Sequence, residues 1–184
     1  MKTERNAGWR LSMPVFFVGF MGSGKTTVAR HLADTYGFDA VDADEYLEQH
    51  EGRIIADIFA EDGEERFRNL ESYYLDELAK GKPRLVSCGG GVVKRPENVR
   101  LMRQHGFVVY LQTTAEEAAA RIPDASSRPL FKNLETAREM LALREPLYRA
   151  AAHASVDTVG RPISEIAEEV LGILVRESVT GADM

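Results

Sequence analysis

The chain is poor in several residue types, and each shortage narrows what it can be. Cys88 is the only cysteine among 184 residues, which excludes an internal disulfide and a cysteine-built zinc site and fits a reducing, cytoplasmic setting. The four histidines, His31, His50, His105 and His153, are scattered without a metal-ligand spacing. Long apolar runs are missing too: the longest, Pro14 to Met21, covers eight residues, well short of the ~20 a membrane span needs. Lysines are scarce, 6 against 17 arginines, and 23 basic residues face 29 acidic ones for a net charge of −6. Such a chain lacks the broad cationic face that nucleic-acid binding requires. Glycine and proline total 22 residues and form no repeat or linker, so collagen-like and disordered classes are excluded. Residues 1–12 lack the apolar centre of a secretory signal and are expected to form a loose tail, as are residues 177–184.

What remains is ordinary globular material. Hydrophobic residues make up 44% of the chain, and a length near ~150 residues per domain predicts one compact domain, over residues 13–176. Short β-rich runs alternate with helical patterns. Strands are predicted at Val15–Val18, Asp39–Val41, Leu85–Ser87, Phe107–Leu111 and His153–Thr158. A helical stripe of Phe67, Leu70, Tyr74 and Leu78 runs from about Glu64 to Ala79. A second, Ile163, Ile166, Ala167, Val170, Leu171 and Leu174, closes the domain. Five strands alternating with helices predict an α/β three-layer sandwich, a five-stranded parallel sheet with helices on both faces.

The strongest motif follows the first of these strands. Gly19-Phe20-Met21-Gly22-Ser23-Gly24-Lys25-Thr26 fits G-x-x-x-x-G-K-[ST] and opens a helix near Lys25. Glycines let the backbone curl so that successive N–H groups face phosphate oxygens, and the helix adds its positive end. Lys25 is placed to reach the β- and γ-phosphates, and the Thr26 hydroxyl to ligate Mg²⁺. The motif predicts a nucleoside triphosphate site. The guanine-reading N-K-x-D is missing, which argues against a GTPase.

Four other features stand where an acceptor could bind. Asp42-Ala43-Asp44 closes a short strand, so alternation points both carboxylates the same way, although Asp42 also reads as a helix N-cap. Gly89-Gly90-Gly91 follows a strand and allows close approach to the backbone, or is a plain loop. Arg68 and Glu71 form an i, i+3 pair of a kind that is usually exposed and weak. Arg128-Pro129-Leu130 lies in a non-periodic stretch, residues 122–133, of the length and placement of a lid.

Taken in order and spacing, these motifs resemble those of the shikimate kinases. The likeness runs through Gly19–Thr26, Asp42-x-Asp44, Ile58-Phe59, Gly63-Glu64-x-x-Phe67-Arg68, the triple glycine, Arg128-Pro129-Leu130 and Arg144-x-Pro146-Leu147-Tyr148, over about residues 14–175. The resemblance implies a nucleoside monophosphate kinase-like fold with a mobile lid. It also implies ATP-dependent phosphorylation of the shikimate 3-hydroxyl on the route to aromatic amino acids. By the same resemblance, Gly22, Ser23, Gly24, Lys25, Thr26 and Thr27 hold the ATP phosphates. Asp44 receives the acceptor hydroxyl, and Asp42 with Thr26 holds Mg²⁺. Arg68 and Arg144 grip the substrate carboxylate beside Gly89, Gly90 and Gly91, with Glu71 bracing Arg68. Phe59 and Phe67 wall the substrate pocket within a substrate-binding region at residues 42–80. Arg128 closes over the phosphates with Lys25, and Arg121 with Arg161 and Pro162 sandwiches the adenine. Two positions depart from the family pattern: Cys88 stands where threonine is more usual, and Phe131 where leucine is common.

The expected partners are therefore the small molecules ATP and shikimate, with a monomeric enzyme and neither nucleic acid nor membrane involved. Two other readings compete: a kinase for another polyol acid such as gluconate, and an ATP-binding regulator without catalysis. The charge is uneven in a way that bears on the site. Residues 42–80 hold 13 acids against 4 bases, net −9, so the rest of the chain sums to +3. Arg68 is one of few cations in the acidic segment.

Overall fold

A computed structural model describes residues 8–121 and 133–182. The apolar runs form five parallel strands: β2 (Val15–Val18), β3 (Ala40–Asp42), β4 (Leu85–Ser87), β5 (Phe107–Gln112) and β6 (Ala154–Asp157), in the order β3-β4-β2-β5-β6. Strand bounds differ from expectation by one residue at several ends. Asp39, for example, stays outside β3 although its carbonyl accepts the Leu85 N–H, and its carboxylate pairs with Lys82.

Side-chain alternation divides the core in two. Phe16, Val18, Val108 and Tyr110 face one side with Leu75, Leu78, Met102 and Tyr148. Val15, Phe17, Val109 and Leu111 face the other with Val28, Leu32, Ile166, Val170 and Leu174. Helices α1 (Lys25–Tyr36) and α7 (Ile163–Arg176) cover the second side. Helices α3 (Ile55–Lys80), α4 (Pro96–His105) and α6 (Leu134–Ala151) supply the first. The expected three-layer α/β architecture is present. A satellite cluster of Leu47, Ile58, Phe67, Leu70 and Tyr74 joins α2 (Ala43–Glu51) to α3. α5 (Ala115–Arg121) follows β5.

α3 starts at Ile55 and is interrupted at Gly63, whose φ of 83° breaks the helical ladder, so the predicted helix from about Glu64 is its second segment. The break explains why periodicity is visible only beyond it.

Both predicted tails need correction. β1 (Trp9–Leu11) pairs antiparallel with β7 (Thr180–Ala182), Arg10 opposite Gly181, so the two ends of the domain form a ribbon. Contacts distant in sequence support the ribbon: Trp9 packs edge-on against Tyr36 at 6.1 Å, and Ser12 N–H donates to the Val179 carbonyl at 2.9 Å. A three-residue strand is too short to leave a periodic signal. Residues 122–132 of the predicted lid, including Arg128 and Phe131, lie outside the described residues; Asn133 caps α6, its side chain accepting the Thr136 N–H.

At the far end of the sheet from the glycine-rich loop, the Val108 N–H donates to His153 Nδ1 at 2.9 Å, and the ring stacks on Phe107. Burial, then the nearby Arg103 charge, hold the imidazole below its ordinary value of 6.5, with Glu177 opposing. The unfolded chain therefore takes up a proton at a higher pH than the folded one. The contribution is complete above the unfolded value and is lost as pH falls from there through the folded value. Urea midpoints measured from about pH 7.5 down to about pH 5.5 should fall more steeply for the wild type than for His153→Asn, which keeps an acceptor but does not titrate. Equal slopes would show that His153 does not carry this linkage.

Candidate functional site

The chain leaves β2 toward β3 on one side and returns through β4 before crossing to β5 on the other. Loops after β2 and β4 therefore open at a topological switch point, where α/β folds bind ligands. Gly19–Thr26 lies there. Gly22 has a φ of 76°, and a Cβ on it would stand 2.8 Å from the Ala118 carbonyl oxygen, so this position combines a left-handed turn with close contact to α5. Ser23 is buried, Thr27 is exposed on α1, and Lys25 Nζ donates to the carbonyls of Gly19 and Phe20 at 2.9 Å each.

At the first turn of α1, Thr26 Oγ1 donates to Asp42 Oδ2 at 2.6 Å and lies 2.8 Å from Ser87 Oγ. Ser87 is the register partner of Asp42 across β3 and β4, which places it in the group. Sequence reasoning missed it because a strand-end serine carries no motif. A cavity of about 250 Å³ lined by Thr26, Arg30, Asp42, Glu45, Tyr46 and Ser87 opens beside these oxygens. The donor set is a hydroxyl and a carboxylate, hard oxygens that fit Mg²⁺, an ion that usually keeps several waters and uses few protein ligands. Among the described residues no cluster of three His, Cys, Asp or Glu could hold a metal.

Asp42 and Asp44 do not share one strand. Asp42 ends β3 and is also the N-cap of α2: its Oδ1 accepts from the N–H groups of Asp44 at 2.9 Å and Glu45 at 3.1 Å. Asp44 therefore belongs to a helical first turn, not to the strand. Oδ1 serves the cap, while Oδ2 accepts the Thr26 hydroxyl.

Asp44 meets the triple glycine. A Cβ on Gly89 would lie 2.9 Å from Asp44 Oδ1 and 3.2 Å from Glu71 Oε1. Arg68 sits at the other end of the loop, where a Cβ on Gly91 would be 2.5 Å from its Nη2. Between them, Gly90 faces Arg144. The i, i+3 pair expected to be exposed is buried: Arg68 Nη1 donates to Glu71 Oε2 at 2.7 Å, with side-chain exposures of 10% and 7%. Burial pushes the Glu71 carboxyl above its usual range, with the Arg68 charge opposing. Glu71 Oε1 is buried without a hydrogen-bond partner among the described residues. The kink at Gly63 brings Phe59 onto Phe67 at 4.7 Å, and the Arg68 guanidinium lies over the Phe67 ring at 4.9 Å. Cys88, just before this loop, is buried, and burial raises its thiol well above the ordinary range, so it stays protonated.

A third group lies past β5 and β6. Arg121 donates to the carbonyls of Gly22 and Thr158 and pairs with Glu117, whose other oxygen accepts the Gly160 N–H at 2.8 Å. Arg161 donates to the Asp157 carbonyl at 2.8 Å and to Glu169, and Pro162 is the N-cap of α7. Glu117 thus ties α5 to the β6–α7 turn. Only its i, i+4 spacing to Arg121 hinted at this.

Gly91 tests how closely the loop is fitted. Alanine there would collide with the Arg68 guanidinium, which is held by Glu71 and cannot swing away without losing that ion pair. Gly91→Ala should keep the fold by circular dichroism and shift ligand affinity on the Arg68 side of the loop by about tenfold. Unchanged affinity for every acid tried would mean that Arg68 relocates freely.

The sheet order, the phosphate loop at its switch point and the acid- and arginine-lined pocket beside it define a P-loop kinase of small molecules. Comparison with known proteins narrows the class. The family model "Shikimate kinase" matches residues 21–175. The chain is 40% identical over 159 residues to a shikimate kinase from Dehalococcoides mccartyi, covering 85% of this chain and 90% of that one. It is 38% identical to the Acinetobacter baylyi enzyme, covering 88% and 91%. A solved shikimate kinase from Acinetobacter baumannii in complex with shikimate superposes with a TM-score of 0.85 at 35% identity, covering 90% and 95%. The chain belongs to the shikimate kinase family. A gluconokinase from Sinorhizobium meliloti shares the fold at a TM-score of 0.56 and 19% identity.

Proposed function

We propose that this chain transfers the γ-phosphoryl group of ATP to the 3-hydroxyl of shikimate, giving shikimate 3-phosphate and ADP. The observation that carries the reading is the glycine loop flanked by Asp44 at Gly89 and by buried Arg68 at Gly91, with Arg144 at Gly90. Such a pocket suits a small rigid molecule with a hydroxyl at one end and a carboxylate at the other.

In this reading Arg68 and Arg144 hold the substrate carboxylate, and a planar guanidinium fork grips both oxygens. Phe59 and Phe67 pack against the ring face. Asp44 orients the 3-hydroxyl and takes its proton as the hydroxyl oxygen bonds to phosphorus and the bond from phosphorus to the β–γ bridging oxygen breaks. Backbone N–H groups of residues 22–27 cradle the phosphates, Lys25 compensates charge on the moving group, and Arg121 with Arg161 and Pro162 flanks the adenine. Thr26 and Asp42 are the residues that would hold Mg²⁺, which when bound neutralises phosphate charge. Arg128 is proposed to act from a lid at residues 122–133, excluding water so that ATP is not hydrolysed. The enzyme is proposed to work as a monomer on ATP and shikimate in the cytoplasm; among the described residues no helix is long and apolar enough to cross a membrane.

The test is ADP release from ATP–Mg²⁺ with shikimate, quinate or gluconate in turn. Acceleration by shikimate alone is expected. Acceleration by gluconate instead would replace this reading with the polyol-acid one, and none by any of them would return the chain to an ATP-binding role.

A further inference from the structure

Tyr148 is fully buried in α6, stacked on Tyr110 of β5 with ring centroids 5.3 Å apart. Burial of an aromatic there is ordinary packing, but its hydroxyl is not idle. Tyr148 Oη donates to the Gly90 carbonyl at 2.5 Å, across 58 residues of chain. Arg144 lies one turn earlier on the same face of α6 and also reaches Gly90, its Nη1 being 3.7 Å from where a Cβ would stand. Two residues four apart thus converge on the middle glycine from one helix.

The helix between them is weakened. Pro146 has no N–H, so the Ala142 carbonyl loses its i→i+4 donor in the turn that carries Arg144. That turn is held by one backbone bond fewer than the rest of α6. The triple glycine is equally short of internal support: its helical-type bonds are Val92 N–H to the Gly89 carbonyl at 3.1 Å and Lys94 N–H to the Gly91 carbonyl at 3.0 Å. The Gly90 carbonyl takes its bond from α6.

We propose that Tyr148 is a positioning residue: its hydroxyl pins the Gly90 peptide to α6, and so fixes the distance between the glycine loop and Arg144, the two sides of the substrate-carboxylate site. The inference rests on the proposed function for the nature of that substrate, though not for the pinning itself. Burial pushes the phenol up to about 12, with the Arg144 charge opposing, so it remains a donor at every working pH.

Tyr148→Phe removes one oxygen and keeps the stack on Tyr110. Two readouts follow. Hydrogen exchange without any substrate should speed up about tenfold at the Val92 and Lys94 amides while the β2 and β4 amides are unchanged. In steady-state assays KM for shikimate should rise about tenfold with KM for ATP within about twofold, and the Tyr148→Phe/Arg144→Ala double variant should be no worse than Arg144→Ala alone. Unchanged exchange at Val92 and Lys94 overturns the pin. Equal rises in both KM values, or effects that multiply in the double variant, overturn its role toward Arg144. If the wild type is inactive with shikimate, the proposed function fails and the exchange experiment still decides the pin. Should Tyr148→Phe not fold, the same change is made in Pro146→Ala, which restores a donor for the Ala142 carbonyl and offsets the loss.

Discussion

Asp44→Asn is expected to lower kcat by about 10²–10⁴-fold, the range for removing a positioned general base, with the affinity for ATP unchanged within about twofold. Asparagine has nearly the shape of aspartate and can still hydrogen-bond a substrate hydroxyl, but it cannot take the proton. The helix cap survives the change: the Asp44 backbone N–H is bound by the Asp42 side chain, and that bond does not depend on the residue's own carboxylate. Asp42→Asn supplies the contrast. Asparagine caps helices as well as aspartate does, so α2 should persist. What is lost is the charge on the oxygen facing Thr26. That variant should regain activity as Mg²⁺ is raised, whereas Asp44→Asn should not. Steady-state kinetics across Mg²⁺ concentrations separate the two. Near-normal turnover in Asp44→Asn would remove it from the proposed role.

Much of this site was legible in the sequence, for physical reasons that differ by residue. The phosphate loop needs fixed glycines and a lysine at fixed spacing, so it can be read directly. The sheet could be read from apolar runs such as Val15–Val18, buried on both faces. Arg68 and Glu71 had the right spacing but not the right weight, because the burial that makes their pair matter comes from the loop at Gly91, 23 residues away from Arg68. Asp42 and Asp44 were placed on the right loop by a wrong geometric reason. The strand ends at Asp42, two residues earlier than alternation assumed, since the Asp42 side chain caps a helix. Ser87 and the Tyr148 hydroxyl were invisible, and Glu117 showed only its i, i+4 spacing to Arg121. Each gains its role from strand register or a long-range contact, neither of which leaves a local pattern. The β1–β7 ribbon fails for the same reason, its two halves lying at opposite ends of the domain.

Arg68→Lys is expected to raise KM for shikimate about 10–100-fold, the cost of a lost charge-assisted hydrogen bond, with KM for ATP little changed. Charge is conserved, so the loss reports geometry. One guanidinium nitrogen is committed to Glu71, while another lies against Gly91. An ammonium has three donors but no planar fork and a different reach, so it cannot reproduce the ion pair and the bidentate grip in the same geometry. A rise confined to KM for ATP would mean that the acid-binding site is assigned wrongly. Arg68→Met goes further, since it leaves the Glu71 carboxylate buried without its counter-charge, a loss on the order of 3–5 kcal/mol. Burial already holds the Glu71 carboxyl above its ordinary value, and the Arg68 charge opposes that rise. Without Arg68 the folded value climbs further. Stability of Arg68→Met should then be greatest below the unfolded carboxyl value and fall as pH rises through the folded one, a dependence that chemical denaturation at several pH values will reveal. Adding Glu71→Gln removes the buried charge and should restore stability near neutral pH without restoring shikimate affinity. If the double variant recovered both, Arg68 would be a structural partner of Glu71 and the substrate carboxylate would rest on Arg144 alone.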